Sequence, residues 1–254
     1  MTAPHDTRQL YDRSAADWRR NQPMLLSDYT ARPFVMNLCA PVQGRSFLDL
    51  GCGEGYVSRQ LADLQAGAVH GVDLSAEMIR QAHEQSTSVS GDTRLTYEAG
   101  DLRVWCPELK QKYDVVLAVF LFNYLTSKEM TQVLQLAFDS LRPEGTLIFT
   151  VPHPLLPWLR PHEFPFYFDA DAGYFSGLNR QFQGQIWRRD RQAVHVQCVH
   201  KRFSDYFEAL RTAGFSGLPE VHELTVTDEH LRIDPEFFTP LLDTPLHAAF
   251  RIQR

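Results

Sequence analysis

The chain has 254 residues, of which 44% are hydrophobic and 22% are charged, and its formal net charge is −6. These proportions are those of an ordinary globular protein, and they exclude a disordered, collagen-like or coiled-coil chain. The excess of acidic residues argues against nonspecific binding to duplex nucleic acid, which requires a basic face.

The cysteines and the N-terminal segment indicate a reducing compartment. Cys39, Cys52, Cys106 and Cys198 lie far apart and form no Cys-x-x-Cys pair, so neither a zinc site nor a dense disulfide framework is expected. The N-terminal segment lacks the apolar stretch of a secretory signal, and the uncharged run of residues 115–127 is too short to span a membrane. We therefore expect a soluble cytoplasmic protein with no membrane partner and no bound metal.

Strand and helix patterns alternate from residue 46 to residue 151. Short apolar, β-branched runs are each followed by a segment of helical periodicity, and helices are expected after Ser75 and after the capping-box sequence of residues 126–129. Five such alternations imply right-handed crossovers and a parallel, doubly wound sheet. The predicted strands of this part are residues 46–50, 68–72, 94–98, 114–120 and 146–151.

Residues 152–202 have a different composition. They contain nine aromatic residues, and seven Lys or Arg against four acidic residues. Residues 182–188 and 193–199 alternate in the manner of a β-hairpin. We interpret the segment as an insertion, called the cap below, that lies over the sheet.

The alternation resumes after the cap and completes the fold prediction. A helix is expected up to Gly214, and strands are expected at residues 221–226 and 246–251. The predicted fold is a Rossmann-like, doubly wound α/β domain with a seven-stranded sheet. We expect one domain over residues 1–254, made of an N-terminal segment (1–45), a core (46–151), the cap (152–202) and a C-terminal part of the sheet (203–254).

Glycines and acidic residues follow the first three predicted strands. Asp49, Gly51 and Gly53 come at the end of the first strand, and glycines at such positions allow a ligand to approach the backbone. Asp73 follows the second strand and Asp101 the third. Because ligands bind at the carboxyl ends of strands in open α/β sheets, these side chains predict a shared site. The spacing of Asp73 from Gly51 suits a carboxylate that accepts hydrogen bonds from ribose hydroxyls.

Five segments in this order resemble the successive motifs of the class I S-adenosylmethionine (SAM) dependent methyltransferases. They read FLDLGCGEGYVSRQLA, GVDLSAEMIRQA, YEAGDL, YDVVLAVFLFNYL and LRPEGTLIFTVPHP, and together they cover residues 46–151. The AGF turn of residues 213–215 is typical of the small-molecule branch of that family. The resemblance implies SAM as the cofactor and S-adenosylhomocysteine as its product.

The resemblance also implies a role for each matching residue. Asp49, Gly51 and Gly53, with Cys52 as the small residue between the glycines, would border the amino-acid end of the cofactor. Asp73 would hold the ribose hydroxyls. Leu74 and Met78 would flank the adenine, Asp101 would bind the adenine amino group beside Leu102, and Phe120 would line the methionine portion.

The residues around the acceptor are predicted from weaker sequence patterns than those around the cofactor. His153, directly beyond the fifth strand, is the candidate general base, and its alternative role is to shape the loop. Small-molecule methyltransferases of this type often close the site with an N-terminal helix, in which Tyr11 and Trp18 would face the ligands or merely pack on the sheet. The cap aromatics Tyr167, Tyr174, Phe175 and Trp187 would line the acceptor pocket, or would instead build the core of the cap.

The predicted function is transfer of a methyl group from SAM to an oxygen or nitrogen of a small molecule. A nicotinamide-binding domain is disfavoured because the third glycine of its fingerprint would fall at Tyr56, and because the Asp49 carboxylate would repel a pyrophosphate. The alternatives are a nucleic-acid (RNA) methyltransferase and a noncatalytic SAM-binding regulatory module. The segment after the fourth strand lacks the Asn/Asp-Pro-Pro-Tyr sequence of amino-methylating nucleic-acid enzymes, which favours a small-molecule acceptor.

Overall fold

The structure, a computed structural model, describes residues 7–20, 22–87, 93–105, 112–160 and 163–254. The strands of these ranges are β1 (Ser46–Leu50), β2 (Ala68–Asp73), β3 (Arg94–Ala99), β4 (Tyr113–Val119), β5 (Leu141–Pro152), β6 (Phe166–Phe168), β7 (Gln181–Trp187), β8 (Ala193–Val199), β9 (Glu220–Leu224) and β10 (His247–Gln253). The α-helices are α1 (Thr7–Trp18), α2 (Leu26–Thr30), α3 (Arg32–Leu38), α4 (Tyr56–Asp63), α5 (Ala76–Gln85), α6 (Ser127–Ser140), α7 (Leu156–Leu159), α8 (Phe203–Thr212), α9 (Asp228–Ile233) and α10 (Pro235–Phe238).

The main sheet has seven strands in the order β3-β2-β1-β4-β5-β10-β9. This confirms the predicted Rossmann-like, doubly wound sheet. Strands β1 to β5 run parallel, whereas β10 runs antiparallel to both of its neighbours, so the sheet is mixed rather than all parallel. The reversal arises because the chain between β9 and β10 stays at the carboxyl edge of the sheet, where His247 begins β10 opposite Pro152 and Leu224.

Helices cover both faces of the main sheet, which explains why β4 is apolar from Val115 to Val119. Successive side chains of a strand point to opposite faces. Val116 and Ala118 belong to the apolar cluster under α6 and α8, while Val115 and Leu117 belong to the cluster under α3 and α4. A strand buried on both faces has no place for polar residues, and this accounts for the continuous apolar run in the sequence.

The cap contains a second, three-stranded antiparallel sheet in the order β6-β7-β8. Its β7–β8 pair is the predicted hairpin. The apolar side of this sheet packs Phe166, Phe168 and Phe182 against Phe237 and Phe238 of α10. The cap therefore shares one apolar cluster with the segment between β9 and β10.

Lys201 joins the cap to the main sheet. Its side chain is buried, and its Nζ donates to the carbonyl oxygens of Leu125 (2.5 Å), after β4, and of Val199 (2.8 Å), at the end of β8. Among the described residues no carboxylate forms an ion pair with this ammonium. Burial consequently lowers the pKa of Lys201 to about 8.

This buried charge predicts a pH-dependent stability that Lys201→Met removes. Below pH 8 the ammonium is charged in both folded and unfolded chains, and its burial destabilises the fold. Between pH 8 and about 10.4, where unfolded lysine titrates, the penalty disappears, so stability rises with pH. The difference in unfolding free energy between wild type and Lys201→Met should shift by about 3 kcal/mol in favour of wild type across this range. Urea unfolding of both proteins at several pH values measures it, and a constant difference would contradict it.

The described residues also bear on two expectations from the sequence, which concern membrane-spanning helices and the cysteines. No helix in the described ranges is both long enough and apolar enough to cross a membrane. Cys39, Cys52 and Cys198 are buried free thiols, and Cys106 lies outside the described residues.

Candidate active site

A cavity of about 560 Å³ opens at the carboxyl edge of β1 to β4 and is covered by α1. Its volume falls in the range of small-molecule sites, roughly 300–1,000 Å³. The fold brings together at this cavity every residue that the sequence predicted for the cofactor. These are Asp49, Gly51, Cys52, Gly53, Asp73, Leu74, Met78, Asp101, Leu102 and Phe120.

The glycine turn exposes backbone to the cavity. Gly51 has φ +70° and donates its N–H to the carbonyl oxygen of Val72 at 2.8 Å, which ties the turn to the end of β2. Gly53 has φ +55°, and a Cβ built there would meet no described atom within 4 Å. Both positions favour glycine because an L side chain is strained at positive φ. A ligand can therefore approach the backbone closely at Gly53.

Both carboxylate oxygens of Asp73 accept hydrogen bonds from backbone N–H groups. Its Oδ2 accepts from the N–H of Gly53 and its Oδ1 from the N–H of Ser75, each at 2.9 Å. Burial raises the pKa of Asp73, and these hydrogen bonds act in the opposite direction. Ser75 in turn caps α5 by accepting from Met78 N–H at 3.1 Å and donates to Asp12 of α1 at 2.5 Å.

Asp49 is a second buried carboxylate in the wall, and it accepts a hydrogen bond from Ser58 Oγ at 2.6 Å. Burial raises its pKa to about 6. Because burial makes the Asp49 carboxyl group costly to ionise, a cationic ligand beside it would favour the charged carboxylate. Asp101 differs, because Arg103 already pairs with it at 2.7 Å and holds its pKa below the usual value.

Phe120 has an unusual backbone. This residue directly follows β4 with φ +58°, a conformation that bulky residues rarely adopt. Its N–H donates to Thr150 O at 3.0 Å, and its ring lies 5.0 Å from that of His247 and 5.3 Å from the Arg32 guanidinium. Such strain is typical of positions that line a functional site.

A buried ionic network also lines the cavity, and sequence reasoning missed it. Asp28 accepts from Arg20 Nε at 3.0 Å and from Arg32 Nη1 at 2.9 Å, and Glu54 accepts from Arg20 Nη1 at 3.1 Å and from Arg59 Nη2 at 2.6 Å. Burial alone would raise the pKa of Asp28, but the two guanidinium groups and two backbone N–H groups lower it overall. Within this network, three guanidinium groups thus face two carboxylates.

Local sequence patterns do not predict this ionic network. Residues 19–32 place arginines and an aspartate among apolar residues without any periodicity, and such a pattern resembles an ordinary surface loop. The contact between Arg20 and Glu54 joins residues 34 positions apart, and nothing in the local sequence connects them.

Three aromatic side chains form a continuous wall on the α1 side of the cavity, called the aromatic wall below: Tyr11, Trp18 and Tyr124. The Tyr11 ring centroid lies 5.6 Å from that of Trp18 and 5.4 Å from that of Tyr124, and the tyrosine hydroxyls hydrogen-bond to each other. Burial raises the pKa of both tyrosines. Tyr11 and Trp18 were predicted to face the ligands, whereas Tyr124 was not singled out.

The cap aromatics predicted for the acceptor pocket do not line this cavity. Trp187 packs on Tyr167 at 5.9 Å, Tyr174 packs on His200 at 5.1 Å, and Phe175 is 77% exposed. None of Tyr167, Tyr174, Phe175 and Trp187 is among the described residues that line the cavity. For Trp187 the reason is distance along β7: Gln181, at the start of the strand, lines the cavity, and Trp187 at the other end lies roughly 20 Å away.

His153, the candidate base, is likewise not among the described residues that line the cavity. Its Nδ1 accepts from the N–H of Leu155 at 3.2 Å, so Nε2 carries the proton and donates to Glu223 Oε1 at 2.7 Å. The ring also packs edge-on against Phe203, with centroids 5.2 Å apart. Both nitrogens are thus engaged in holding the loop after β5.

This geometry predicts that His153→Ala affects stability rather than the site. Loss of two hydrogen bonds in a buried position should lower the unfolding free energy by about 1–3 kcal/mol. The affinity for S-adenosylhomocysteine should stay unchanged, because the side chain does not line the cavity. Thermal unfolding and calorimetric titration of the variant test both statements, and weakened ligand binding by a fully folded variant would contradict the second.

Comparisons with known proteins agree with this geometry. Residues 47–145 match the methyltransferase domain family. The trans-aconitate 2-methyltransferase of Streptomyces avermitilis is 33% identical over 140 residues, which are 53% of this chain and 51% of that protein. The chain spans about half the length of the curated relatives it matches.

Solved structures share the fold over most of the chain. A SAM-dependent methyltransferase from Mesorhizobium loti superposes with a TM-score of 0.63 at 21% identity, over 87% of this chain and 96% of that one. A putative SAM-dependent methyltransferase from Listeria monocytogenes has the same TM-score at 23% identity, over 88% of this chain and 97% of that one.

The mixed seven-stranded sheet, with its cavity beside a glycine turn, defines a Rossmann-like α/β protein of the cofactor-binding class. Within that class, residues 47–145 match the methyltransferase domain family, and the fold is shared with solved SAM-dependent methyltransferases. SAM is the methyl donor of this family. In the described residues, no group of three or more His, Cys, Asp or Glu side chains is arranged to hold a metal ion.

Proposed function

We propose that the protein transfers a methyl group from SAM to an oxygen or nitrogen of a small-molecule acceptor. The observation that carries this proposal is the convergence of all ten residues predicted for the cofactor on one cavity. SAM supplies an electrophilic methyl group on a sulfonium ion, so alignment and exclusion of water are the main tasks of the protein.

The adenosine and methionine portions of SAM would contact different lining residues of the cavity. Asp73, at the end of β2, would accept hydrogen bonds from the ribose hydroxyls, and Asp101 with Leu102 would bind the adenine. Leu74 and Met78 would supply the apolar contacts to the adenine ring. The exposed N–H side of the glycine turn and the Phe120 ring would enclose the methionine portion.

The two charged groups at the amino-acid end of SAM would each meet an oppositely charged side chain of the cavity. The ammonium of SAM would pair with Asp49, whose burial favours a cationic partner. The carboxylate of SAM would pair with Arg32, because the network of Arg20, Arg32 and Arg59 with Asp28 and Glu54 has one positive charge in excess. Charged ligands at both positions would reduce the cost of burying these side chains.

A small-molecule acceptor is supported by the enclosure of the site. Helix α1 covers the cavity, and Gln197 of β8 ties the cap to α1 by donating to Thr7 Oγ1 at 2.9 Å. A cavity covered in this way suits a ligand that can be surrounded, whereas a polynucleotide needs an open groove.

Calorimetric titration with SAM, S-adenosylhomocysteine and NAD tests the proposed cofactor. We expect micromolar binding of the first two ligands and no binding of NAD. Binding of NAD alone would overturn the proposal, and the glycine turn would then be a dinucleotide site. Release of S-adenosylhomocysteine in the presence of an acceptor separates an enzyme from a noncatalytic SAM-binding module.

The position of Asp49 predicts a pH dependence of SAM binding. With a pKa of about 6 in the free protein, Asp49 is ionised above pH 6 and protonated below it. If the ionised form binds the ammonium, SAM affinity should be highest near pH 7 and should fall up to about tenfold per pH unit below pH 6. Titrations at pH 5 to 8 measure this, with Asp49→Asn as the control that should bind weakly at every pH. Equal affinity of wild type at pH 5 and pH 8 would exclude this role.

A further inference from the structure

Arg103 lies just beyond the end of β3, lines the cavity and is held between two carboxylates. Its guanidinium donates to Asp101 Oδ1 through Nε at 2.8 Å and to Asp101 Oδ2 through Nη2 at 2.7 Å, while Nη1 donates to Glu129 Oε1 at 3.1 Å. Glu129 is itself fixed, because its Oε2 accepts from the backbone N–H and the hydroxyl of Thr126, each at 2.8 Å. Rotation of the guanidinium would therefore break an ion pair on one side or the other.

Arg103 occupies three of the acceptor positions of the Asp101 carboxylate. An ionised carboxylate has about four such positions, two on each oxygen. Asp101 Oδ1 accepts from both the backbone N–H of Arg103, at 3.1 Å, and its Nε, whereas Oδ2 accepts from Nη2. In the part of the chain that the structure describes, no second donor bonds to Oδ2, so one acceptor position remains there. The Asp101 side chain is 24% exposed and lines the cavity, so its carboxylate is open to a ligand.

The backbone around Asp101 is fixed independently of the Arg103 side chain. The carbonyl oxygen of Asp101 accepts from the N–H groups of Val104 at 2.9 Å and of Trp105 at 2.6 Å. The Trp105 indole N–H donates in turn to Glu98 Oε1 of β3 at 3.1 Å. The Arg103 guanidinium therefore determines the direction of the Asp101 carboxylate rather than the path of the chain.

The remaining acceptor position carries negative charge at neutral pH. Hydrogen bonds from Arg103 hold the pKa of Asp101 below its usual value, so the group stays ionised. An ionised carboxylate only accepts hydrogen bonds, so it binds an N–H or O–H group and repels a carbonyl oxygen. Adenine presents an amino group with N–H donors, whereas a purine with a carbonyl oxygen on the same ring carbon presents none there.

We propose, on the basis of the SAM site proposed above, that Arg103 is a positioning residue that sets the preference of the site for an adenine base. Asp101 makes the contact to the amino group, and Arg103 acts through it by holding Oδ2 in the direction of that group. Without the guanidinium, the Asp101 side chain rotates freely in the empty site, and its ordering on binding costs affinity. A purine that makes no hydrogen bond to Asp101 does not bear this cost.

Calorimetric titration of the full chain with two ligands tests the proposal. The ligands are S-adenosylhomocysteine and S-inosylhomocysteine, which share the ribose and amino-acid portions but carry an amino group and a carbonyl oxygen, respectively, on the same ring carbon. Wild type should prefer S-adenosylhomocysteine about tenfold or more. In Arg103→Met this preference should fall about three- to tenfold, because only the adenine ligand depends on an ordered Asp101. A loss of stability alone would leave the preference of the folded molecules unchanged.

Arg80→Met is the matched control, because Arg80 makes the same pattern of ion pairs away from the cavity. Its Nε and Nη2 donate to the two carboxylate oxygens of Glu77, at 2.9 and 2.5 Å, and its Nη1 pairs with Glu84. Arg80 is not among the described residues that line the cavity. The Arg80→Met protein should keep the wild-type preference.

Arg103→Lys is the second variant, and it replaces Arg103→Met if that protein does not fold. Lysine keeps the positive charge but cannot donate two parallel hydrogen bonds to one carboxylate, so the preference should fall by a similar factor. An unchanged preference in a folded Arg103 variant, or the absence of any preference in wild type, overturns the proposal. Wild type is titrated with S-adenosylhomocysteine first, and a lack of binding there refutes the proposed function itself and this inference with it.

Discussion

Asp73→Ala should weaken the binding of SAM at least about tenfold and leave the fold intact. A carboxylate that accepts hydrogen bonds from ligand hydroxyls contributes about 1.5–3 kcal/mol, which corresponds to a factor of roughly 10 to 150 in affinity. The variant also loses the acceptor for the N–H groups of Gly53 and Ser75, so the glycine turn becomes less well held. Calorimetric titration with SAM gives the affinity, and circular dichroism with thermal unfolding reports on the fold.

Asp114→Ala is a matched control for this loss of hydrogen bonds. The Asp114 carboxylate accepts from Ser46 N–H and Ser46 Oγ, each at 2.7 Å, and pairs with Arg142 at 2.7 Å. It stands at the start of β4, at the opposite edge of the sheet from the cavity, so its loss should lower stability without changing SAM affinity. Unchanged affinity in a folded Asp73→Ala protein would remove Asp73 from the cofactor site.

Asp28→Ala should destabilise the protein by about 3–5 kcal/mol, because removal of one partner leaves buried charges uncompensated. Asp28 is fully buried, accepts from Arg20 and Arg32, and also accepts from the N–H groups of Met24 and Leu25. The expected loss is comparable to the whole stability of many domains, so the variant should unfold at a much lower urea concentration. Urea unfolding at neutral pH provides the measurement.

The lowered pKa of Asp28 also determines how the stability of the fold depends on pH. A carboxylate with a lower pKa in the folded chain stabilises the fold above the unfolded value, near 4, and loses that contribution as the pH falls through the folded value. Asp171→Ala serves as the control, because the Asp171–Arg180 pair is exposed and should contribute at most about 1 kcal/mol. Equal losses for the two variants would show that the Asp28 network does not stabilise the cavity wall.

These two variants separate the binding of the cofactor from the integrity of its wall. Asp73 is expected to act mainly on affinity, and Asp28 mainly on stability, although both side chains lie within one region of the fold. The ionic network places Arg32 against the Phe120 ring and so couples the N-terminal segment to the end of β4. Closure of the cavity therefore depends on a part of the chain that carries no recognisable motif.

The core of the fold was predictable because its signals are local. A parallel strand buried on both faces must be largely apolar, and a helix that follows a tight turn needs glycine or a capping side chain. Strand β4, the Gly51 turn and the capping box at Thr126 can therefore each be predicted from a few consecutive residues. The reversed direction of β10 was not readable, because it depends on which edge of the sheet the preceding segment follows.

The sequence by itself determined the class of fold and the group of residues that line the cavity beside the glycine turn, because these residues lie at or just after the ends of strands that the fold places at one edge. Only the tertiary structure decided where the aromatic and histidine side chains outside that group lie. Tyr11, Trp18 and Tyr124 meet through the packing of α1 on the sheet, while His153 and the cap aromatics are turned toward Glu223, Phe203 and one another. Aromatic and histidine side chains serve equally well in a core or in a pocket, and long-range packing determines which of the two they form.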